Sequence, residues 1–297
     1  MLLPYLRQQL AKGQTHLAVT PAAREVLRKI YKGEIAFGEK AAAKAATQTK
    51  TATAPAHPKE QKHMIPRPTA LSDRKAPLNI PTPCPQGDTA EEQLASLRNL
   101  IENCSFTRDL GSFRKTLVFS IGSPEADLML IGDTPGYHEE QKREPFAGPA
   151  GDKLTAILAA MGLAREQIYI TNLCKFRPAL PGQTRNNRPA RPEEIQISRP
   201  YLRAEIEIVR PKVIIALGAA AAHGLLDSKD SFDDLRNVWH EIDGIPVRVS
   251  HHPSFLLLAD KDALTEKRKI WEDMLVVMEK LNLPISEKQR AFFLPKS

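Results

Sequence analysis

The chain has 297 residues, of which 42% are hydrophobic and 26% charged, an ordinary globular composition with enough length for one sizeable core or two small ones. Its formal net charge of +7 favours a polyanionic partner, because Lys and Arg placed on phosphates release counterions. Cys84, Cys104 and Cys174 form no CxxC pair, which argues against a disulfide framework or a zinc module. No apolar run approaches the ~18 residues of a membrane span. We expect a soluble, monomeric, cytoplasmic protein that does not bind membranes.

Residues 1–37 are predicted to form two short helices. Thr20, Pro21 and Gly33 are the expected N-cap, first helical residue and stop signal of the second helix. Its apolar stripe would either pack on the main domain or bind a partner such as a repair or replication protein. Residues 38–87 are rich in Ala, Thr, Pro and Lys, so we expect a disordered basic linker, which either holds the protein near DNA or is a solvated tether.

Residues 88–285 alternate between strand and helix signals, and residues 286–297 are predicted to be a tail. The strands are expected in KTLVFSIG, ADLMLIG, IYITN, KVIIALG and PVRVSHH, with helices near 150–161, 192–209, 219–226 and 264–280. Strands that are near-continuous Val/Ile/Leu runs indicate an α/β, doubly wound, three-layer sandwich around a mainly parallel four-stranded sheet.

Polar side chains come directly after the predicted strands. The strand ends carry GDTPGYHEE, NLCKFRP, GAAAA and HHPSFLL, which supply an acid, an amide, basic side chains and histidines. Ligands of such sheets bind at the carboxyl ends of the strands, so these groups should meet in one crevice.

Three of these segments resemble the bacterial family-4 uracil-DNA glycosylases. LIGDTPGYHEEQKREPFAGPAGDKL is similar to the first motif of that family, IYITNLCKFRP to the second, and VSHHPSFLL to the last, in the same order and with compatible gaps. The resemblance implies the fold of that superfamily and hydrolysis of the N-glycosidic bond of a flipped-out uracil in DNA, leaving an abasic site.

The resemblance also assigns roles in recognising uracil. Phe146 matches the residue that stacks on the base, and Asn172 matches the amide that accepts from uracil N3–H and donates to O4, a pairing that cytosine reverses. His252 would donate to O2 as negative charge develops there. Glu139 falls on the acidic residue expected near C5, where thymine is excluded.

Asp133 stands where the family has Glu, and would position the attacking water. Its side chain is one methylene shorter, and Thr134 replaces a Gly or Ala beside the substrate. These departures leave open a relative that binds uracil or damaged DNA without cleaving it. A glycosylase for another deaminated base such as hypoxanthine also stays open. A nucleotide-metabolising enzyme is disfavoured, because no P-loop or GxGxxG motif follows a strand.

The resemblance implies contacts to the DNA around the pocket. Expected backbone contacts come from Lys175, Arg177, Arg188 in the QTRNNRPAR loop and Ser254, while Phe255 or Leu256 would wedge into the vacated base stack.

Four cysteines hold a four-iron four-sulfur cluster in the resembled family. The matching positions here are Cys104, Thr107, Phe176 and Ser198, which leaves one thiol of four. The resemblance therefore implies a member without the cluster, with no other metal or cofactor, whose corresponding space is filled by side chains such as Phe176 and Phe106.

Overall fold

The computed structural model describes residues 80–257 and 263–293, and the predicted N-terminal helices and most of the predicted linker lie outside these ranges. Eight strands are described: β1 Phe113–Leu117, β2 Ile121–Gly122, β3 Leu128–Gly132, β4 Tyr169–Asn172, β5 Phe176–Pro178, β6 Val213–Leu217, β7 Trp239–Ile242 and β8 Ile245–Ser250. The α-helices are α1 Ala90–Glu102, α2 Ser105–Leu110, α3 Tyr137–Lys142, α4 Pro149–Met161, α5 Pro192–Val209, α6 Ala219–Leu226, α7 Phe232–Leu235, α8 Ala263–Lys280 and α9 Glu287–Arg290.

The main sheet has six strands in the order β2-β4-β3-β6-β8-β7. Its four central strands pair in parallel, which confirms the predicted doubly wound α/β fold. The edge strands β2 and β7 are antiparallel; β2 lies at the end of the predicted KTLVFSIG run, and neither strand was counted among the four of the predicted sheet. A separate antiparallel pair joins β1 to β5.

Alternate residues of the central strands face two different cores. Met129 and Ile131 of β3 belong to the core covered by α1, α5 and α6. Leu128 and Leu130 belong to the core covered by α4 and α8. Because side chains alternate along a strand, a sheet with both faces buried needs continuous apolar runs, and the sandwich has the three layers that were predicted.

The folded domain extends beyond both predicted boundaries. At the start, the Gln86 backbone N–H donates to Ser96 Oγ of α1 at 2.9 Å, so the chain already packs on the domain before residue 88. At the end, the Trp271 indole N–H donates to the Gln289 carbonyl at 2.8 Å, and the Gln289 amide donates to the Ala160 carbonyl at 2.8 Å. The predicted tail therefore includes α9, which joins α8 to α4. In the described parts of the chain, no helix is both long and apolar enough to cross a membrane.

Candidate active site

The carboxyl ends of β3 and β4 are held together beyond the last paired residues. The Leu173 N–H donates to the Gly132 carbonyl at 2.8 Å, and the Cys174 N–H donates to the Asp133 carbonyl at 2.9 Å. Gly132 is also the register partner of Asn172. These contacts place the loop that begins at Asp133 directly beside the end of β4.

Asn172 and Phe146 meet over the backbone of Gly132. A Cβ atom on Gly132 would lie 2.3 Å from Asn172 Oδ1 and 2.8 Å from Phe146 Cζ, so only glycine leaves room for both side chains. Asn172 is 3% exposed, yet its side-chain amide forms no hydrogen bond with another described residue. A nearly buried amide without a protein partner is suited to binding a ligand.

Phe146 is held in an unusual backbone conformation. Its φ of 52° lies in the left-handed region that few large side chains adopt. Helix α4 begins immediately afterwards, and a Cβ atom on Gly151 would lie 1.7 Å from the Phe146 carbonyl oxygen. The close approach of α4 therefore fixes the Phe146 backbone, and backbone strain of this kind concentrates at functional sites.

His252 reaches the same place from the end of β8. Its ring stacks on the Phe146 ring with centroids 5.4 Å apart and an interplanar angle of 27°. Gly218, which follows β6 with φ 91°, leaves space for His252, since a Cβ there would lie 3.0 Å from the His252 Cβ. All four central strands thus bring a residue to one crevice.

The hydrogen bonds of His252 fix its proton. The Ser254 backbone N–H donates to His252 Nδ1 at 3.2 Å, which requires a lone pair on that nitrogen. In the neutral ring the proton is therefore on Nε2, which is free to donate. Burial lowers the pKa of His252, although the Asp133 and Glu139 carboxylates act in the opposite direction. A neutral imidazole with a donating Nε2 is the form expected at neutral pH.

His251 points away from this crevice. Its ring stacks on Phe255, with centroids 4.9 Å apart, and meets the edge of Phe232. Below it, Ser250 Oγ donates to buried Asp273, which also receives hydrogen bonds from Arg236 and Arg248. This network fastens the end of β8 to α8.

Glu139 bridges two parts of the loop between β3 and α4. Its Oε2 accepts from the Gly136 N–H and its Oε1 from the Gly148 N–H, each at 3.0 Å. Both carboxylate oxygens therefore have backbone partners, and the bridge joins the Asp133 and Phe146 ends of the loop. Thr134 is partly buried in the same loop. A role for Glu139 at uracil C5 stays a prediction.

Lys175 does not lie on the surface, which corrects its predicted contact with DNA. Its side chain is 2% exposed and forms an ion pair with Glu205, whose side chain is 0% exposed. Burial lowers the pKa of Lys175 and raises the pKa of Glu205, and the attraction between the two opposes both changes. A lysine enclosed in this way cannot reach a phosphate on the surface.

The same correction applies to Arg177 and Arg188. The Arg177 side chain is 1% exposed and donates to Glu140, to Asn187 Oδ1 and to two backbone carbonyls of the 182–191 loop. The Arg188 side chain is 11% exposed and donates to both oxygens of Glu194. These guanidinium groups hold the 182–191 loop in place and are not presented to DNA.

The segment after His252 also differs from expectation. The Ser254 hydroxyl, predicted to contact a phosphate, lies 2.7 Å from His252 Nδ1. Leu256, the predicted wedge, is partly buried against the core under α4 and α8. The exposed apolar side chains of this segment are Phe255 at 38% and Leu257 at 46%.

An exposed basic side chain does border the loop after β3. Arg185 stacks on Tyr137 with its guanidinium carbon 5.5 Å from the ring centroid, and Arg177 contacts the same ring at 5.5 Å. Arg114 is nearby, since it shares Glu140 with Arg177 and its side chain is 47% exposed. Two arginines of this group therefore face solvent.

The positions expected to match iron-sulfur ligands lie among apolar or hydrogen-bonded side chains. Cys104 and Phe176 lie in one apolar core, against which Phe106 packs. The Thr107 hydroxyl donates to the Cys104 carbonyl at 2.9 Å, and Ser198 is buried. Among the described residues, no group of three or more His, Cys, Asp or Glu is arranged to hold a metal ion.

Several functional contacts were missed from the sequence. Glu205 is the clearest case, because it lies on the apolar face of α5 with Leu202 and Val209, and a carboxylate there signals a buried partner. The sequence carries no comparable signal for two other contacts. These are the hydrogen bonds between Ser254 and His252, and the room that Gly132 leaves for the Asn172 side chain.

Comparisons with known proteins agree with this geometry. A family model described as the uracil DNA glycosylase superfamily matches residues 119–275. The chain is 40% identical over 122 residues to the type-4 uracil-DNA glycosylase of Archaeoglobus fulgidus, covering 41% of this chain and 58% of that protein. It is 33% identical over 172 residues to the type-4 uracil-DNA glycosylase of Pyrobaculum aerophilum, and the matched segment covers 55% of this chain and 84% of that protein. It is also 34% identical over 188 residues to the type-4 uracil-DNA glycosylase of Thermotoga maritima, and the matched segment covers 63% of this chain and 93% of that protein.

Proposed function

Because the chain belongs to the uracil-DNA glycosylase superfamily, we propose that it hydrolyses the N-glycosidic bond of uracil in DNA and leaves an abasic site. The observation that carries the proposal is the meeting of Asn172, Phe146 and His252 at the carboxyl ends of the sheet, with Asp133 on the adjoining loop. The type-4 relatives are named for the same activity.

The Asn172 side-chain amide, which has no partner among the described residues, is the group proposed to recognise the base. The Asn172 side chain accepts from uracil N3–H and donates to O4, whereas cytosine presents the opposite pattern and would leave buried polar groups unpaired. Phe146 supplies an apolar surface for the flipped base, which offsets part of the cost of removing it from the stack.

Bond cleavage places negative charge on the base and positive charge on the sugar. His252 donates its Nε2–H to uracil O2, where charge develops, and a single donor of this kind is typically worth about 3 kcal/mol. The Asp133 carboxylate orients a water toward the sugar and stabilises its positive charge. Ser254 keeps the His252 ring in the tautomer that donates from Nε2.

DNA backbone contacts are assigned to exposed arginines in place of the buried ones. Arg185 and Arg114 border the loop that carries Asp133 and present guanidinium groups to solvent. Such groups contribute affinity that does not depend on sequence and weakens with salt. Phe255 and Leu257 replace Leu256 as the side chains that enter the vacated stack.

We also propose that the protein lacks an iron-sulfur cluster and needs no cofactor. A four-iron cluster needs four thiolates, and the matching positions supply only Cys104. Cys174 is buried, and burial raises the pKa of its thiol to about 12, which disfavours the thiolate form that binds iron. Iron analysis and the absorbance near 400 nm of anaerobically purified protein test this, since stoichiometric iron would contradict it.

We further propose that the protein is cytoplasmic and that it is a monomer. Its three cysteines are all free, as expected in a reducing compartment. Light scattering with and without DNA tests the oligomeric state, and a stable dimer would contradict the proposal. A partner for residues 1–37 stays a prediction outside the described residues.

The activity is tested with labelled oligonucleotides carrying one uracil opposite G, opposite A or unpaired. Treatment with alkali converts each abasic site to a break that a denaturing gel resolves. Asn172→Ala and His252→Ala should both lose most of the cleavage, and a hypoxanthine substrate tests the alternative base. Selective binding of uracil without cleavage would instead support a silent relative, for which the shortened Asp133 gives the reason.

A further inference from the structure

A buried lysine holds the backbone of the residue proposed to recognise the base. Lys175 Nζ donates to the Asn172 carbonyl at 2.8 Å and to Thr171 Oγ1 at 2.5 Å, and it pairs with Glu205. All three protons of the ammonium group therefore have acceptors.

Glu205 is itself held by β4. The Tyr169 hydroxyl donates to Glu205 Oε1 at 2.9 Å, and the Thr171 hydroxyl lies 3.2 Å from the same oxygen. The network thus links α5 to three of the four residues of β4, and its contact nearest the crevice is the one to the Asn172 carbonyl.

Burying this pair has a cost that stability alone does not explain. Moving two charges out of water into the interior is costly, and apolar replacements of buried pairs are often neutral or stabilising. An apolar side chain at position 175 would, however, leave the Asn172 carbonyl without this donor. The feature that requires a lysine is therefore its contact with the end of β4.

We infer that Lys175, oriented by Glu205, is a positioning residue that fixes the Asn172 peptide and thereby the side-chain amide that recognises uracil. This inference rests on the proposed function. A misplacement of about 1 Å in a group that orients a substrate can reduce the rate about 100-fold. Lys175 itself acts through Asn172 and does not touch the substrate.

The test uses the double variant Lys175→Met/Glu205→Gln, which removes both charges but keeps an acceptor for the Tyr169 and Thr171 hydroxyls. Single-turnover uracil excision is measured in this variant, in Asn172→Ala, and in the variant that combines all three changes. Val209→Ala, in the core on the same helix, is the control for lost stability alone.

We expect the double variant to fold and to excise uracil about 10- to 100-fold more slowly than the wild type. With Asn172→Ala already present, the same two changes should cost less than about twofold, because the amide they position is gone. Val209→Ala should lower the melting temperature and leave the excision rate unchanged.

The possible failures are distinguishable. An active wild type whose double variant keeps its full rate, or whose loss is equally large with and without Asn172, overturns the positioning role alone. If the double variant does not fold, Lys175→Gln/Glu205→Gln, which leaves no unpaired buried charge and keeps polar side chains at both positions, is measured in its place against the same Asn172→Ala background, with the same expected non-additivity. A wild type that neither excises uracil nor binds it in preference to thymine overturns the proposed function and this inference together.

Discussion

Ser254 contacts His252 through both its backbone and its side chain, since its N–H lies 3.2 Å and its hydroxyl 2.7 Å from the same ring nitrogen. The two residues form one unit in which the serine selects the tautomer and the histidine presents Nε2. From this geometry we predict that Ser254 supports the chemistry of the base, in place of the expected contact with a phosphate.

Ser254→Ala should reduce kcat with little change in KM for DNA. The variant loses the hydroxyl but keeps the backbone N–H that selects the tautomer, so a loss of up to about tenfold is expected for one hydrogen bond. Steady-state kinetics at two salt concentrations measures it. A raised KM with an unchanged kcat, at both salt concentrations, would mean that Ser254 contacts a phosphate after all.

Acid should destabilise the fold through the two adjacent histidines. Burial lowers the pKa of His251 and of His252 below the ordinary 6.5. Below about pH 6.5 the unfolded chain therefore binds more protons than the native one, and stability falls until the lowered pKa values are passed. Melting temperatures from pH 7.5 to pH 5 should fall less in His251→Phe, which keeps the aromatic stack on Phe255. An equal fall in both proteins would contradict the assignment.

Gly132→Ala should disable the crevice while the domain stays folded. The added methyl group would lie 2.3 Å from Asn172 Oδ1, so the amide must move, and we expect kcat/KM to fall about 100-fold. Gly162→Ala is the control, since its methyl meets open space but its φ is 80°. That variant should lose stability and keep its activity, and the same pattern in Gly132→Ala would show that the glycine serves the fold alone.

Arg185→Ala should weaken binding to DNA of any sequence. Removing one phosphate contact should reduce the slope of log affinity against log salt by about one. Lys212→Ala is the matched control, because Lys212 is also exposed but lies beside Asp127, at the amino ends of β6 and β3 and thus at the opposite edge of the sheet. Fluorescence anisotropy measures both slopes, and equal slopes would remove Arg185 from the interface.

The central sheet could be predicted because its signal is repeated. Each of the four parallel strands is a buried apolar run followed by a polar loop, so the fold class and the meeting of Asp133, Asn172 and His252 follow from pattern and topology alone. The edge strands carry no such signal, since β2 has two residues and β7 is exposed at alternate positions.

The basic residues near the pocket show what a sequence pattern leaves undecided. Lys175, Arg177 and Arg188 look like surface cations, and their burial depends on carboxylates distant in sequence, such as Glu205 and Glu140. A charged side chain is buried in the protein only where the fold places a group of opposite charge beside it, and otherwise it stays on the surface. Only the tertiary arrangement supplies that information.

The bridge from Glu139 to Gly136 and Gly148 has a consequence for how this protein can be altered. The Glu139 carboxylate closes the segment 136–148 into a ring. Phe146 lies near one end of this ring and Asp133 just before the other, and its outer side, 141–144, is exposed. Residues added at 143–144, after the end of α3, should enlarge the ring without moving its ends, because flexible insertions at exposed sites cost little. A fluorescent label or a second binding module can therefore be attached there without changing Asp133 or Phe146.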